Sequence, residues 1–158
     1  MGRVTGQTQN FLNSGGAWTP VVNLPYPLRG IYGHNLNDIM VVGDNTTNGH
    51  HFDGTNWNVA MYNLGDFANG VFFGSMYWYV VGNSGKGART MTPEGTWTLY
   101  TVAASSNLRA VNGQPGSDQF PLAVGDNGTV QYFHPTGVWQ TLGYPGGAAD
   151  LFSGVFTP

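Results

Sequence analysis

The acidic side chains are the first place to look for chemistry, and the chain has eight of them. One is a glutamate, Glu94, and the others that could join it in glycoside hydrolysis are Asp38, Asp44, Asp53, Asp118 and Asp126. Hydrolysis by the usual route needs two carboxyl groups about 5–10 Å apart. Most of these aspartates stand in predicted turns, where aspartate bonds its own backbone. The acids therefore predict turns rather than a catalytic pair, and we expect no enzyme activity.

The histidines and two Gly-Asp-Asn segments raise the question of a metal. His50 and His134 fall in corresponding predicted strands, and two imidazoles could hold a metal ion, but no carboxylate stands at ligand spacing beside them. Asp44-Asn45 and Asp126-Asn127 offer oxygens of the kind that Ca²⁺ binds. Gly-Asp-Asn is also an ordinary hairpin turn, because Asn and Gly tolerate positive φ. We expect strand-face histidines, turn aspartates, no metal site and no cofactor.

Aromatic residues make up 14% of the chain and are its most informative surplus. Most are expected to pack between sheets. Tyr26, Tyr62 and Tyr144 stand in predicted loops and are expected to be freer, so that with neighbouring Asn and Asp they form a sugar-stacking pocket. Arg29 and Arg109 occupy equivalent places in two repeats. These five residues are the predicted ligand site.

All of these residues sit within a repeat of about forty residues. Tryptophans at positions 18, 57, 97 and 139 are spaced 39, 40 and 42 apart, and each follows a turn and precedes a short strand. A strand with small residues and a very apolar strand that ends on glycine complete the unit. Almost nothing reads as helix, because apolar residues alternate or cluster in short runs bounded by turn residues. Four strands per period predict the blade of a β-propeller.

The chain begins and ends inside a repeat. We expect an all-β fold with a single domain over residues 1–158 and four blade equivalents. The last blade would be composite, with a strand at Leu151–Phe156 pairing beside Arg3–Gly6, which removes exposed sheet edges. An eight-bladed ring made by two chains that swap the closing strand is one alternative, and a piece of a longer array is another. The protein is therefore expected to be a monomer or a homodimer.

The repeat also resembles known families. Leu108-Arg109-Ala110-Val111 and the following Leu-Ala-Val-Gly-Asp-Asn-Gly-Thr-Val string look like repeats of photosystem-assembly-factor (YCF48-like) and Asp-box (BNR-type) propellers, and Phe52–Trp57 resembles a degenerate Asp-box turn. The likeness covers nearly the whole chain and implies a propeller. Sialidases with Asp-box propellers read a substrate carboxylate with an arginine triad and use a tyrosine nucleophile with an acidic partner. The resemblance thus leaves a sialidase-like hydrolase fragment as an alternative. This alternative is disfavoured because the chain has only four arginines and one glutamate from which to build such a site.

Charge and composition limit the partners. Five basic residues and a net charge of −3 cannot supply the cationic footprint that nucleic acid needs. The absence of cysteine excludes disulfides, no apolar run could cross a bilayer, and the first fifteen residues lack a secretory core. We expect a non-enzymatic binding or structural module on a virion, as a phage appendage or decoration, or on another extracellular surface. A glycan, a host-surface ligand or a larger virion assembly would be its partner. A bacterial lectin is the alternative function, and the cytoplasm the alternative location.

Overall fold

The computed structural model describes residues 8–13, 18–102, 106–143 and 146–153. Within these ranges the regular structure is β, apart from two short 3-10 turns at Asn83–Gly85 and Asp126–Gly128. It forms a two-stranded hairpin and three four-stranded antiparallel sheets. The described part of the chain contains no helix that is long and apolar enough to cross a membrane. The all-β class predicted from the sequence is confirmed.

Each sheet is a meander whose strands pair in chain order. The hairpin pairs β1 (Thr8–Asn13) with β2 (Trp18–Leu24). The first sheet contains β3 (Leu28–Asn35), β4 (Asp38–Gly43), β5 (Gly49–Phe52) and β6 (Trp57–Ala60). The second contains β7 (Ala68–Phe73), β8 (Trp78–Gly82), β9 (Lys86–Thr90) and β10 (Thr98–Thr101). The third contains β11 (Leu108–Asn112), β12 (Leu122–Gly125), β13 (Val130–Phe133) and β14 (Trp139–Thr141).

The periodic tryptophans mark the start of the last strand in each unit, as predicted. Trp18, Trp57 and Trp139 are the first residues of β2, β6 and β14, and Trp97 directly precedes β10. Trp97 belongs to the core between the first two sheets and meets Tyr62 edge to face at 5.9 Å. Trp57 and Trp139 pack against other core clusters.

The strands that begin each sheet lie side by side, with β7 between β3 and β11. Glycine makes this approach possible. A Cβ on Gly30 of β3 would lie 3.0 Å from the Asn69 carbonyl oxygen, and one on Gly70 of β7 would lie 2.9 Å from the Val111 nitrogen. The prediction that small residues mark a crowded strand is therefore confirmed for β3 and β7.

The second sheet is covered on both faces. Along β8, Trp78 and Val80 point into the core shared with the first sheet, whereas Tyr79 and Val81 point into the core shared with the third. All four side chains are buried. Successive residues of a strand point to opposite faces, so an aromatic and apolar run such as this one suits a strand between two neighbours. Burying an aliphatic side chain such as that of Val80 or Val81 stabilises the fold by about 1.5–3 kcal/mol.

Two backbone features recur in all three sheets. The first strand carries a bulge at its second residue, which is Arg29, Asn69 or Arg109. The second strand ends on a glycine whose Cβ would lie 2.0–2.2 Å from the carbonyl oxygen preceding the first strand. No other residue fits there without displacing backbone; the three glycines are Gly43, Gly82 and Gly125.

The predicted closing strand is not seen where it should begin. Residues 151–153 form no strand. The Leu151 amide donates one backbone hydrogen bond to the Gly125 carbonyl at 3.0 Å, which falls short of a ladder. The rest of the expected strand, residues 154–158, and its expected partner Arg3–Gly6 lie outside the described residues.

Candidate functional site

Arg29 and Arg109, the residues at the bulges, each pair with the residue that directly follows the glycine at the end of the second strand. Arg109 donates from Nε to Asp126 Oδ1 at 2.6 Å and from Nη2 to Asp126 Oδ2 at 2.9 Å. These bonds hold the pKa of the Asp126 carboxyl below its ordinary value. Arg29 donates from Nε to Asp44 Oδ1. Both guanidinium groups therefore already have a carboxylate partner within the fold.

The predicted loop tyrosines are not free. Tyr26 is 8% exposed and Tyr62 only 1%. The Tyr26 hydroxyl lies 2.7 Å from His50 Nδ1, and burial raises the pKa of Tyr26 to about 12. The Tyr62 hydroxyl donates to the Asn48 carbonyl at 2.6 Å. The expectation of solvent-facing rings is wrong for these two residues because their loops fold back onto the first sheet.

The structure does not gather the five predicted ligand residues in one pocket. Tyr26 and Tyr62 pack in the cores beside the first sheet, Arg109 lies in the third sheet, and Tyr144 is outside the described residues. Tyr62 also lines a cleft of about 420 Å³ between the last strands of the first two sheets. Its role in ligand binding stays a prediction.

His50 lies on β5, the third strand of the first sheet, whereas His134 lies one residue beyond β13, the third strand of the third sheet. The prediction that both histidines stand in corresponding strands is therefore met for His50 and missed by one residue for His134. His50 faces Tyr26, and burial lowers the pKa of its imidazole. His134 Nδ1 pairs with the Thr136 hydroxyl at 2.7 Å. In the described part of the chain no three His, Asp or Glu side chains are arranged to hold a metal ion.

A position that the sequence reasoning missed carries the most unusual side chains. It lies on the third strand, opposite the residue three places before the glycine that ends the second strand. In the first sheet it is His51 opposite Met40, in the second Arg89 opposite Tyr79, and in the third Tyr132 opposite Leu122. The strand pairing brings His51, Arg89 and Tyr132 together. The sequence alone does not, because His51 is eight residues after Gly43, whereas Arg89 and Tyr132 are seven residues after Gly82 and Gly125.

His51 contacts two carboxylates, one in its own sheet and one in the second sheet. Its Nε2 lies 2.7 Å from Oδ1 of Asp38 on the neighbouring strand β4, and its Nδ1 lies 2.6 Å from Oε1 of Glu94. Glu94 belongs to the turn between β9 and β10 of the second sheet. The His51 side chain is buried, whereas the Asp38 and Glu94 side chains are partly exposed.

Arg89 has a different environment. Its guanidinium carbon lies 4.5 Å from the centre of the Tyr77 ring and 4.6 Å from that of Phe133, and the Tyr100 ring is 5.7 Å away. Such contacts fix a cation over ring faces. Burial raises the pKa of Tyr100, and the positive charge of Arg89 partly opposes this effect. Unlike Arg29 and Arg109, Arg89 has no carboxylate at ion-pair distance among the described residues.

Arg89 lines a cleft of about 340 Å³ on the second sheet. This volume is within the usual range for small-ligand sites. We call it the Arg89 cleft. The Thr90 hydroxyl in its wall is held by the carbonyl oxygens of Thr92 and Thr96. The cleft therefore combines a ring, a fixed cation and several hydroxyl groups; its lining is Tyr77, Arg89, Thr90, Met91, Thr92, Gly95, Thr96 and Thr98.

The acidic side chains are all engaged elsewhere. Asp38 and Glu94 hold His51, Asp44 and Asp126 hold arginines, and Asp150 accepts from the Asn127 amide. Asp53 accepts from the amides of Thr55 and Asn56, which lower its pKa. Asp66 accepts from the Ser84 hydroxyl, and Asp118 from Ser75, Met76 and Tyr77. Each acid thus already has a partner that fixes its carboxylate.

The likeness to YCF48-like and Asp-box propellers stays a prediction, because no family model matches the chain and a search of curated proteins found no similar sequence.

Proposed function

We propose that the three sheets are consecutive blades of a β-propeller whose ring is completed by both ends of the chain. The recurring bulge and glycine support this arrangement, as do the adjacent first strands. A further contact supports a fourth unit. Asn127, the central residue of the second 3-10 turn, donates its amide to Asp150 Oδ1 at 3.0 Å. Ser84, at the same place in the first 3-10 turn, donates to Asn107 Oδ1 at 3.1 Å, and Asn107 directly precedes β11. Asp150 therefore stands where the residue before a fourth first strand would stand.

The function that the geometry supports best is non-enzymatic binding of a glycan in the Arg89 cleft. The observation that carries this proposal is the lining of the cleft. A sugar presents an apolar face, which a ring can cover, and a rim of hydroxyls, which polar side chains can bond. The Tyr77 ring, the hydroxyls of exposed Thr92, Thr96 and Thr98, and the fixed guanidinium of Arg89 offer both kinds of contact.

Hydrolysis is disfavoured by the same structure. A general acid or base must reach the scissile bond and exchange a proton with it. The carboxylates of this chain are tied to arginines, to His51 or to backbone amides, as described above. We accordingly propose a module that holds a glycan without cleaving it, on a virion or another extracellular surface.

A glycan array with the full chain tests the proposal. We expect binding by the wild-type protein that is lost, by about tenfold or more in affinity, on changing Thr98 to Val, because a bonded hydroxyl is replaced by a methyl group of similar size. Thr101→Val is the matched control: Thr101 is exposed on the same strand but lies outside the Arg89 cleft, so its loss should leave binding unchanged. Wild-type binding that Thr98→Val leaves intact would contradict the assignment of the cleft. An array with no bound glycan would contradict the function.

A further inference from the structure

The three sheets can be compared position by position around the third strand. His51 of the first sheet corresponds to Arg89 of the second, because each pairs with the residue three places before the glycine that ends the second strand. Five residues before that glycine stand Asp38 in the first sheet and Tyr77 in the second. Both pairs are in contact: Asp38 with His51 at 2.7 Å, and Tyr77 with Arg89 at 4.5 Å to the ring centre.

The second partner of His51 can be traced in the same way. Glu94 lies in the turn Pro93-Glu94-Gly95-Thr96 before Trp97 of the next sheet along the chain. The corresponding turn after the second sheet is Pro135-Thr136-Gly137-Val138 before Trp139. Thr136 therefore takes the place of Glu94. At the junction of the second and third sheets, uncharged residues therefore stand at the positions of both acids that bond His51 at the previous junction.

We propose that the Arg89 cleft binds a glycan that carries a carboxylate, and that this carboxylate pairs with the Arg89 guanidinium. The inference rests on the proposed function of the cleft and names its class of ligand, an acidic sugar such as a uronic acid. The ligand carboxylate would supply the negative charge that Asp38 and Glu94 supply to His51.

The ring contacts do not replace this partner. A ring face attracts a cation without hydrogen-bonding its N–H groups, whereas a carboxylate can accept two parallel hydrogen bonds from the planar guanidinium fork. Arg109 shows this arrangement with Asp126 in the same molecule. Tyr77 from the second sheet and Phe133 from the third hold Arg89 in place, so little side-chain freedom is lost when a ligand binds.

The test changes the ligand and leaves the protein intact. Affinities would be measured by calorimetry for a galacturonate oligomer, for its methyl ester and for a neutral galactose oligomer of the same length, with sialylated and neutral lactose as a second matched pair. For at least one acidic member we expect binding that is about tenfold or more tighter than for its neutral counterpart, and that weakens with added salt. Acetate at the same concentration shows whether a carboxylate alone competes; we expect weak competition at most, because it lacks the sugar ring.

Variants at the cation complete the test. Arg89→Gln should abolish the difference between acid and ester, and Arg89→Lys should retain part of it, because lysine keeps the charge and loses the planar fork. Thermal unfolding of each variant shows that it is folded. Equal affinity for acidic and neutral members of both pairs, with binding still dependent on Thr98, would overturn the carboxylate inference and leave the proposed function standing. An acid preference that persists in Arg89→Gln would also overturn it.

Discussion

At Arg109, two hydrogen bonds and an ion pair meet on one carboxylate. Asp126 also accepts from Asn107 Nδ2 at 2.9 Å. Together these contacts lower the pKa of Asp126, with the hydrogen bonds from Arg109 as the main cause. A carboxyl whose pKa is lower in the folded than in the unfolded state stabilises the fold above its ordinary pKa, and this stabilisation is lost as the pH falls through the lowered value.

We therefore expect Arg109→Gln to lower the free energy of unfolding by up to about 1 kcal/mol near neutral pH, since the pair is partly exposed. The loss should shrink toward zero as the pH falls through the lowered pKa of Asp126, because the carboxyl is then protonated in both proteins. Urea unfolding across this pH range measures it. Arg89→Gln is the control, because it removes a guanidinium without a described carboxylate partner, and its effect should not fade with acid. A constant loss for Arg109→Gln at every pH would contradict the role of Asp126.

For single residues, the sequence predicted which positions are equivalent in the repeats but not which side chains are in contact. The matching positions of Arg29 and Arg109 could be predicted from the repeat. The burial of Tyr26 and Tyr62 could not, because a loop position does not say whether a ring turns back onto a sheet. Arg89 was missed because its surroundings come from Tyr77 just before β8, from β10 and from β13, which only the strand register brings together.

Among the elements, the first strands set the tightest limits. Their backbones approach so closely that a side chain at the contact has no room, as the 2.9 Å between a Cβ on Gly70 and the Val111 nitrogen shows. Overpacking of a filled core typically costs about 1–3 kcal/mol. Since β7 touches both β3 and β11, the second sheet cannot retreat from one neighbour without pressing on the other.

Gly70→Ala should therefore lower the free energy of unfolding by about 1–3 kcal/mol. Gly33→Ala is the matched control in the neighbouring first strand β3. A Cβ there would meet Ile39 at 3.5 Å, an ordinary van der Waals contact, so the change should stay within about 0.5 kcal/mol. Chemical denaturation of the two variants gives both values. Equal effects would show that the first strands are not crowded as described.

The existence of the strands was predictable because short apolar runs between glycine and asparagine turns are typical of β-strands. The bulges at Arg29, Asn69 and Arg109 were not predicted. A bulge adds one residue to one strand of a pair, and an extra residue is invisible until the pairing partner is known.

Across the whole molecule, polar contacts join each sheet to the next. Glu94 of the second sheet holds His51 of the first, and Asp118 of the third sheet holds the turn at Ser75–Tyr77 of the second. Asp150 continues this series beyond the third sheet through the Asn127 amide. If the ends of the chain complete a ring, this last contact begins the closing unit.

Removing Asp150–Pro158 should then unfold or aggregate the protein, because it opens the ring and exposes a sheet edge. Asp150→Asn keeps an acceptor for the Asn127 amide and should remain folded. Light scattering and thermal unfolding distinguish the two. In the intact chain, a solution mass near 16.9 kDa indicates closure within one molecule, whereas about twice that mass indicates strand exchange between two. A truncated protein as stable as the full chain would contradict closure by the termini.

The third-strand position also bears on how such a chain can diversify. The first and second sheets have the same strand pairing at this position, which is occupied by Asp38 with His51 in one sheet and by Tyr77 with Arg89 in the other. Where two acids stand, the basic side chain is bonded within the protein. Where uncharged residues replace them, as at Arg89, a ligand can supply the carboxylate. Sheets with one backbone arrangement can in this way bind different partners at the same position.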